Sequence, residues 1–273
     1  MLVKNTNNTL PFKHPRILSV FGYDAVAPLD VNLASTAGSY RVGFLANYGA
    51  DYVASIPHPH INLGPISPNG TLIVAGGSGG TAPPYVSAPL DALQEHAYHT
   101  GTQIFWDVIQ NNPQVHAESD ACLVFINAWA TEGYDRAELR DDYSDALILN
   151  VARQCANTIV VIHNAGIRLV DQFADHPDVT GISFGHLPGQ GSGRGLVSLL
   201  FGDESFSGRL PYTVARNETD YNAVPEGQQG KFFRFPQSDL TEGVVSRSCL
   251  SSPHLLVVNL SDFLEETTKL NRS

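Results

Sequence analysis

Cysteine is scarce in this chain of 273 residues: there are three, beside one methionine and two tryptophans. Cys122, Cys155 and Cys249 are odd in number and far apart, which gives neither a disulfide framework nor a metal-ligand spacing. Cys122 lies in a strand pattern and Cys155 near the end of a helix pattern, so both read as buried small residues. Charged residues make up only 16%, and positive charge is the scarcer sign. Sixteen Lys and Arg against 27 Asp and Glu leave a net charge of −11. That balance argues against nucleic acid and against anionic membrane surfaces as partners. No apolar run approaches the length of a transmembrane helix. The first nine residues, Met1 to Thr9, lack the apolar stretch of a secretory leader. Asn-X-Ser/Thr triplets at Asn7, Asn69, Asn217, Asn259 and Asn271 nonetheless hint at a secretory history. Apolar residues are plentiful, at 42%, enough for a sizeable core.

Those apolar residues fall into alternating elements. Arg16 to Phe21, Thr71 to Ala75, Gln103 to Phe105, Ala121 to Ile126, Thr158 to Ile162, Val179 to Phe184 and Arg209 to Val214 read as strands. Pro89 to Tyr98, Tyr143 to Cys155, Arg168 to Ala174 and Ser192 to Phe201 read as helices, the last closed by Gly202. Ser87 or Asp91 could cap the first helix. Leu147, Ile148, Val151 and Ala152 share one side of the second. The order predicts an α/β fold, a mostly parallel sheet sandwiched by helices. The stretch from Pro28 to Pro68 is rich in Gly, Asn, Ser and Pro and reads as a long insertion. Residues 1–215 form the α/β domain, 216–243 a linker, and 244–273 a divergent, irregular tail.

The segment with the most chemistry follows the strand from Ala121 to Ile126. Within a few positions it presents Trp129, Glu132, Tyr134, Asp135 and Arg136. A carboxylate held by an ion pair can protonate a leaving oxygen, and a tryptophan beside it suits stacking on a sugar face. An incidental polar loop has the same composition. Trp106 reads as core. Gly77 to Ala82 formally match G-x-G-x-x-A, but Pro83 and Pro84 follow, where a helix N-terminus would have to hold a pyrophosphate. Ser192 is preceded by Gly189-Gln190-Gly191, which is not the spacing of a nucleophile elbow, so it reads as a helix cap. His163 and His186 each end a strand without a partner at ligand spacing, and read as structural.

Taken in order, these segments resemble the second domain of glycoside hydrolase family 3, the fungal β-glucosidase-like enzymes. The resemblance runs from Met1 to Gly243. It rests on Leu2 to Asn5 with Leu10-Pro11, Arg16 to Asp24, Gly77 to Gly80, Pro89 to Leu93, Glu132-Gly133-Tyr134-Asp135-Arg136 and Asn157 to Gly166. It continues through Leu187 to Gln190, Gly202-Asp203, Ser207 to Thr213 and Gln237 to Gly243. The resemblance implies retaining hydrolysis of terminal, non-reducing β-D-glucosyl residues, in β-glucosides or cello-oligosaccharides, with no cofactor or metal. The two carboxyl groups of retaining enzymes stand about 5–5.5 Å apart. The motif places the acid/base at Glu132, with Glu138 as second candidate. Trp129, Tyr134, Asp135 and Arg136 would contact the sugar or order the loop.

The family's nucleophile lies in an "SDW"-type motif on an N-terminal β/α barrel, and this sequence contains no such motif. Residues 244–273 match nothing in the family's fibronectin-like third domain. The expectation is therefore a fragment of a secreted parent that lacks barrel and sandwich and is inactive alone. Its tail would be a gene-model artefact, which a spliced message encoding that tail would refute. The alternative is a non-catalytic carbohydrate-binding or structural module.

Overall fold

The computed structural model describes residues 1–28, 65–68, 70–75, 83–130, 136 and 138–221, and the backbone of 228–229 and 236–237. Six strands form one sheet: β1 (Leu2–Asn5), β2 (Ile17–Phe21), β3 (Gln103–Asp107), β4 (Ala121–Ala128), β5 (Thr158–Asn164) and β6 (Val179–Phe184), in the order β1-β6-β5-β4-β2-β3. All pairings are parallel except β1 with β6. Among the described residues three helices cover it: α1 (Pro89–Thr100), α2 (Asp142–Ala152) and α3 (Ser192–Phe201). A two-residue antiparallel ladder, β7 (Gln228–Gln229) with β8 (Pro236–Gln237), lies in the stretch read as linker.

The layering follows from strand periodicity. All eight residues of β4 are buried, and successive side chains face opposite sides. Cys122, Val124 and Ile126 pack with Leu147, Ile148 and Val151 of α2. Leu123 and Phe125 pack with Leu90 and Leu93 of α1 and Leu196 and Leu200 of α3. The α2 stripe read from the sequence is thus the buried one. Asp141 caps α2, its carboxylate accepting from the Ser144 N–H at 2.7 Å. Helix α3 runs over Ser192–Phe201 as expected and closes on Gly202 in the left-handed conformation. Where α1 and α3 cross, a Cβ on Gly193 would stand 2.1 Å from the Ala88 carbonyl oxygen, so only glycine fits.

Several expectations are corrected. Leu2–Asn5 is an edge strand, too short and too mixed to show periodicity. Thr71 to Ala75 joins no ladder: Thr71 N–H bonds the Val26 carbonyl and Leu72 N–H bonds a side chain, so the buried run is satisfied outside the sheet. Arg168 to Ala174 is irregular, with a turn from Asp171 onward, and not a helix. Leu169, Val170, Phe173 and Ala174 are buried, so the helical spacing reports packing. The buried Arg168 guanidinium reaches back to Asp141 and Asp145 of the α2 start, which sets the path of the chain there. Arg209 to Val214 is irregular. Helix α1 begins at Pro89, with Ala88 at the N-cap and no side-chain cap; the Ser87 hydroxyl instead accepts from Arg194 N–H of α3. The insertion from 29 to 64, the glycine run 76–80 and the tail 244–273 lie outside the described residues.

Cys122 and Cys155 are joined in a disulfide. Both are buried as expected, but as a covalent link between the second residue of β4 and the exit of α2. Two cysteines 33 residues apart carry no motif, so only the fold reveals the pairing. Closing a loop of that length restricts the unfolded chain by roughly 3–4 kcal/mol in the chain-entropy account. Urea unfolding with and without dithiothreitol should show a stability loss of about that size on reduction; coincident curves would mean the link contributes nothing.

Candidate functional site

Strand β2 neighbours both β3 and β4, so the chain steps outward to β3 and then crosses back to β4. The connections leaving β2, to β3, and β4, to β5, run in opposite directions, and in open parallel sheets the crevice at such a reversal, beyond the carboxyl ends of the strands, is where ligands bind. Here it lies between the ends of β2 and β4. Gly22 allows the two to close on each other: it has φ +97°, and a Cβ there would stand 2.1 Å from the Phe125 carbonyl oxygen.

Just beyond this point the strand ends carry a buried polar network. Asp24, wholly buried, accepts from His163 Nδ1 at 2.5 Å, from Asn127 Nδ2 at 2.8 Å and from the Leu72 N–H at 2.7 Å. Asn127 also donates to the Ser67 carbonyl and accepts from the Ser67 N–H, both at 2.8 Å. Burial pushes the Asp24 carboxyl up, while His163 and the other donors pull the opposite way. On the far side of the imidazole, the Ser192 hydroxyl lies 3.3 Å from His163 Nε2 and can donate to it. Ser192 is therefore the first residue of α3 rather than its cap, and His163 has partners on both ring nitrogens.

Asp24, His163 and Ser192 stand in the order of a nucleophile triad, yet the arrangement does not support acyl transfer. Ser192 is 3% exposed. The N–H groups that could form an oxyanion hole are engaged: Gly193 with the Ser87 carbonyl at 2.6 Å, Arg194 with the Ser87 hydroxyl at 3.2 Å. The network is a scaffold.

Glu132, Tyr134 and Asp135 lie outside the described residues, so the Asp135–Arg136 pairing does too. Glu138 is exposed. Arg136 is half-buried and donates from Nη2 to the Ile167 carbonyl at 2.5 Å, which fastens the loop to the exit of β5. Trp129, expected as an exposed stacking platform, is 2% exposed, and its backbone N–H donates to the Pro65 carbonyl. Trp106, expected in the core, is 54% exposed on edge strand β3, beside exposed Phe105. Sequence reading flagged His163 and His186 as strand ends and Asp24 as the end of its segment, but missed that Asp24, Asn127 and His163 meet. Their sole common signal is position at a strand terminus. A separate cavity of about 500 Å³, lined by Phe12, His14, Arg16, Asp120 and Asn157 among others, lies at the opposite ends of the strands.

A second buried cluster braces the same rim. Arg168, 1% exposed, donates to Asp145 at 2.6 Å and to Asp141 at 3.3 Å. Burial pushes the Asp145 carboxyl up to about 6, against the pull of Arg168.

Open parallel sheet, reversal crevice and carboxylate-bearing loop after the central strand define the class of domain, and a sequence profile agrees. Residues 1–245 match the glycosyl hydrolase family 3 C-terminal domain, and the chain belongs to that family. Among its relatives, a probable beta-glucosidase M from Aspergillus flavus is 51% identical over 246 residues, covering 89% of this chain and 29% of the relative. Beta-glucosidase cel3A from Pyricularia oryzae is 48% identical over 89% of this chain and 32% of its own length. A family 3 beta-glucosidase structure from Neurospora crassa superimposes with a TM-score of 0.64 at 31% identity, covering 89% of this chain and 27% of that one. The chain thus spans about a third or less of the relatives it matches.

Two outcomes are expected. Asp24→Ala should destabilise the fold by about 3–5 kcal/mol, because it strands buried His163 and Asn127; urea midpoints within about 1 kcal/mol of wild type would refute this. For Asp145 the folded pKa lies above the ordinary carboxylate value. Its contribution to stability is therefore complete at low pH and lost as pH rises through about 6. Asp145→Asn, with Asp141 left to pair Arg168, should flatten that fall in denaturation curves taken across this window.

Proposed function

We propose that this chain supplies the acid/base domain of a retaining β-glucosidase acting on terminal, non-reducing β-D-glucosyl residues of β-glucosides or cello-oligosaccharides. The observation that supports the reading is the family match over residues 1–245, together with a reversal crevice at the end of the central strand β4, which Glu132 follows in sequence. Glu132 is the proton donor to the leaving oxygen and the base for the incoming water; Glu138 is the second candidate. Asp135 and Arg136 order the loop. Tyr134 contacts the sugar, and Trp129, buried just before the loop, acts through its packing rather than by stacking.

A retaining displacement needs a second carboxylate as nucleophile. No segment of this sequence has the family's nucleophile motif, so that group comes from a barrel domain, and the 273-residue chain alone turns over no glucoside. The buried Cys122–Cys155 disulfide supports an oxidising, extracellular setting for the parent enzyme.

The test is a chimera in which residues 1–245 replace the matching segment of the Aspergillus flavus relative. The chimera should release nitrophenol from p-nitrophenyl β-D-glucopyranoside, and Glu132→Gln should lower kcat by about 100-fold or more. If only Glu138→Gln did so, the role would pass to Glu138. If neither did, the acid/base assignment would fall. The purified 273-residue chain should give no release above its Glu132→Gln control.

A further inference from the structure

Two of the Asn-X-Ser/Thr triplets lie among the described residues, at Asn7 and Asn217, and their settings differ. Asn217 is exposed, and its side chain is engaged as a cap, accepting from the Thr219 N–H at 3.1 Å. Asn7 is exposed on the tight turn Thr6–Asn8, and no hydrogen bond holds its side-chain amide among the described residues. It borders the cavity of about 500 Å³ at the amino ends of the strands, which Asn217 does not.

The backbone around that cavity is unusual. Four non-glycine residues among those described have a left-handed φ, and three of them line it: Asn7 at +59°, Asn8 at +51° and His14 at +54°. Such residues are uncommon and gather where function constrains the backbone. The wall is polar and ordered. Asn157 accepts from the Thr180 hydroxyl at 2.6 Å and from the Thr9 hydroxyl, and donates to the Asp120 carbonyl at 3.1 Å. Arg16 and Asp120 pair at 3.2 Å and cancel in charge. Lys13 is exposed and has no ion pair among the described residues, which leaves its ammonium free to donate to hydroxyl or amide oxygens. Clefts of this size take small neutral ligands, and there is room for about one or two pyranose rings.

We propose that Asn7 carries an N-linked glycan and that its first N-acetylglucosamine rests in this cavity. The inference rests on the oxidising, extracellular setting argued above from the buried disulfide, and not on the acid/base assignment. The donor is a lipid-linked oligosaccharyl diphosphate. The bond from its anomeric carbon to the diphosphate oxygen breaks, the anomeric carbon bonds to Asn7 Nδ2, Nδ2 gives up one proton, and the lipid diphosphate leaves. The Thr9 hydroxyl, which completes the triplet, is bonded to Asn157 in the folded domain, so transfer precedes folding. Once attached, the sugar presents its hydroxyls and acetamido group to Lys13 and Asn157. The tether makes that contact intramolecular, so individually weak hydrogen bonds suffice to seat it.

The experiment expresses the 273-residue chain behind a cleavable secretory leader in a eukaryotic host. One portion is treated with peptide N-glycosidase in heavy-oxygen water, which turns each glycan-bearing asparagine into a labelled aspartate. Peptide mass spectrometry should find the label at Asn7, and Asn7→Gln should remove it. A second portion is trimmed with an endoglycosidase to a single N-acetylglucosamine, so that distal sugars shield nothing. A ligand in a cleft buries about 70–90% of its surface, so an acylating ester should modify Lys13 about threefold or more slowly in the trimmed chain than in the Asn7→Gln chain. The enzymatically deglycosylated wild type should react as fast as Asn7→Gln, which separates shielding from any folding defect of the variant. Asn217→Gln should change neither the label at Asn7 nor the Lys13 rate. An unlabelled Asn7 overturns the proposal. So does a Lys13 rate that is the same in the trimmed and the deglycosylated wild type. Neither readout involves turnover, so a failed Glu132→Gln test in the chimera is a separate result.

Discussion

One buried carboxylate organises the functional end of this domain. Asp24 follows β2 and takes hydrogen bonds from β5 through His163, from β4 through Asn127 and from the Leu72 backbone. A carboxylate out of water is tolerated only when its lone pairs are filled, and here three donors on three separate stretches of chain fill them. His163 passes the restraint on to Ser192 at the start of α3. The parallel strands, which ladder bonds hold along their length, are thus also held at the ends from which their loops depart.

The loop that carries the proposed chemistry is restrained at both flanks by this rim. At its start, Trp129 is buried and its backbone N–H donates to the Pro65 carbonyl; two residues earlier, Asn127 grips Ser67. At its end, Arg136 holds the Ile167 carbonyl, next to Arg168 in its cage of Asp141 and Asp145. Two guanidinium groups thus flank Ile167: Arg136 donates to its carbonyl, and Arg168 follows it in sequence.

The fold was legible wherever burial imposes a period. Val179–Phe184 and Ser192–Phe201 fall where their patterns put them, and the α2 stripe is the stripe that packs. Periodicity failed where apolar residues are buried without regular backbone, as at Thr71 to Ala75 and Leu169 to Ala174. The tryptophans reversed roles because aromatic character says nothing about position in the sheet: Trp106 lies on edge strand β3 and faces water, while Trp129 follows the buried central strand. The site was legible as a motif, from Glu132 to Arg136, but not as geometry. Asp24, Asn127 and His163 are more than 100, and then 36, positions apart, and only the strand order makes them neighbours. The disulfide escaped for the same reason.

That disulfide closes residues 122–155 into a ring. The ring contains the C-terminal part of β4, the whole Glu132 loop and α2. A protease that cuts within the loop leaves both ends attached, one through its ladder bonds and the other through sulfur. The stretch that carries the proposed acid/base is then one whose cleavage does not release a fragment. Nicked and intact chains would migrate together until the sulfur bridge is reduced.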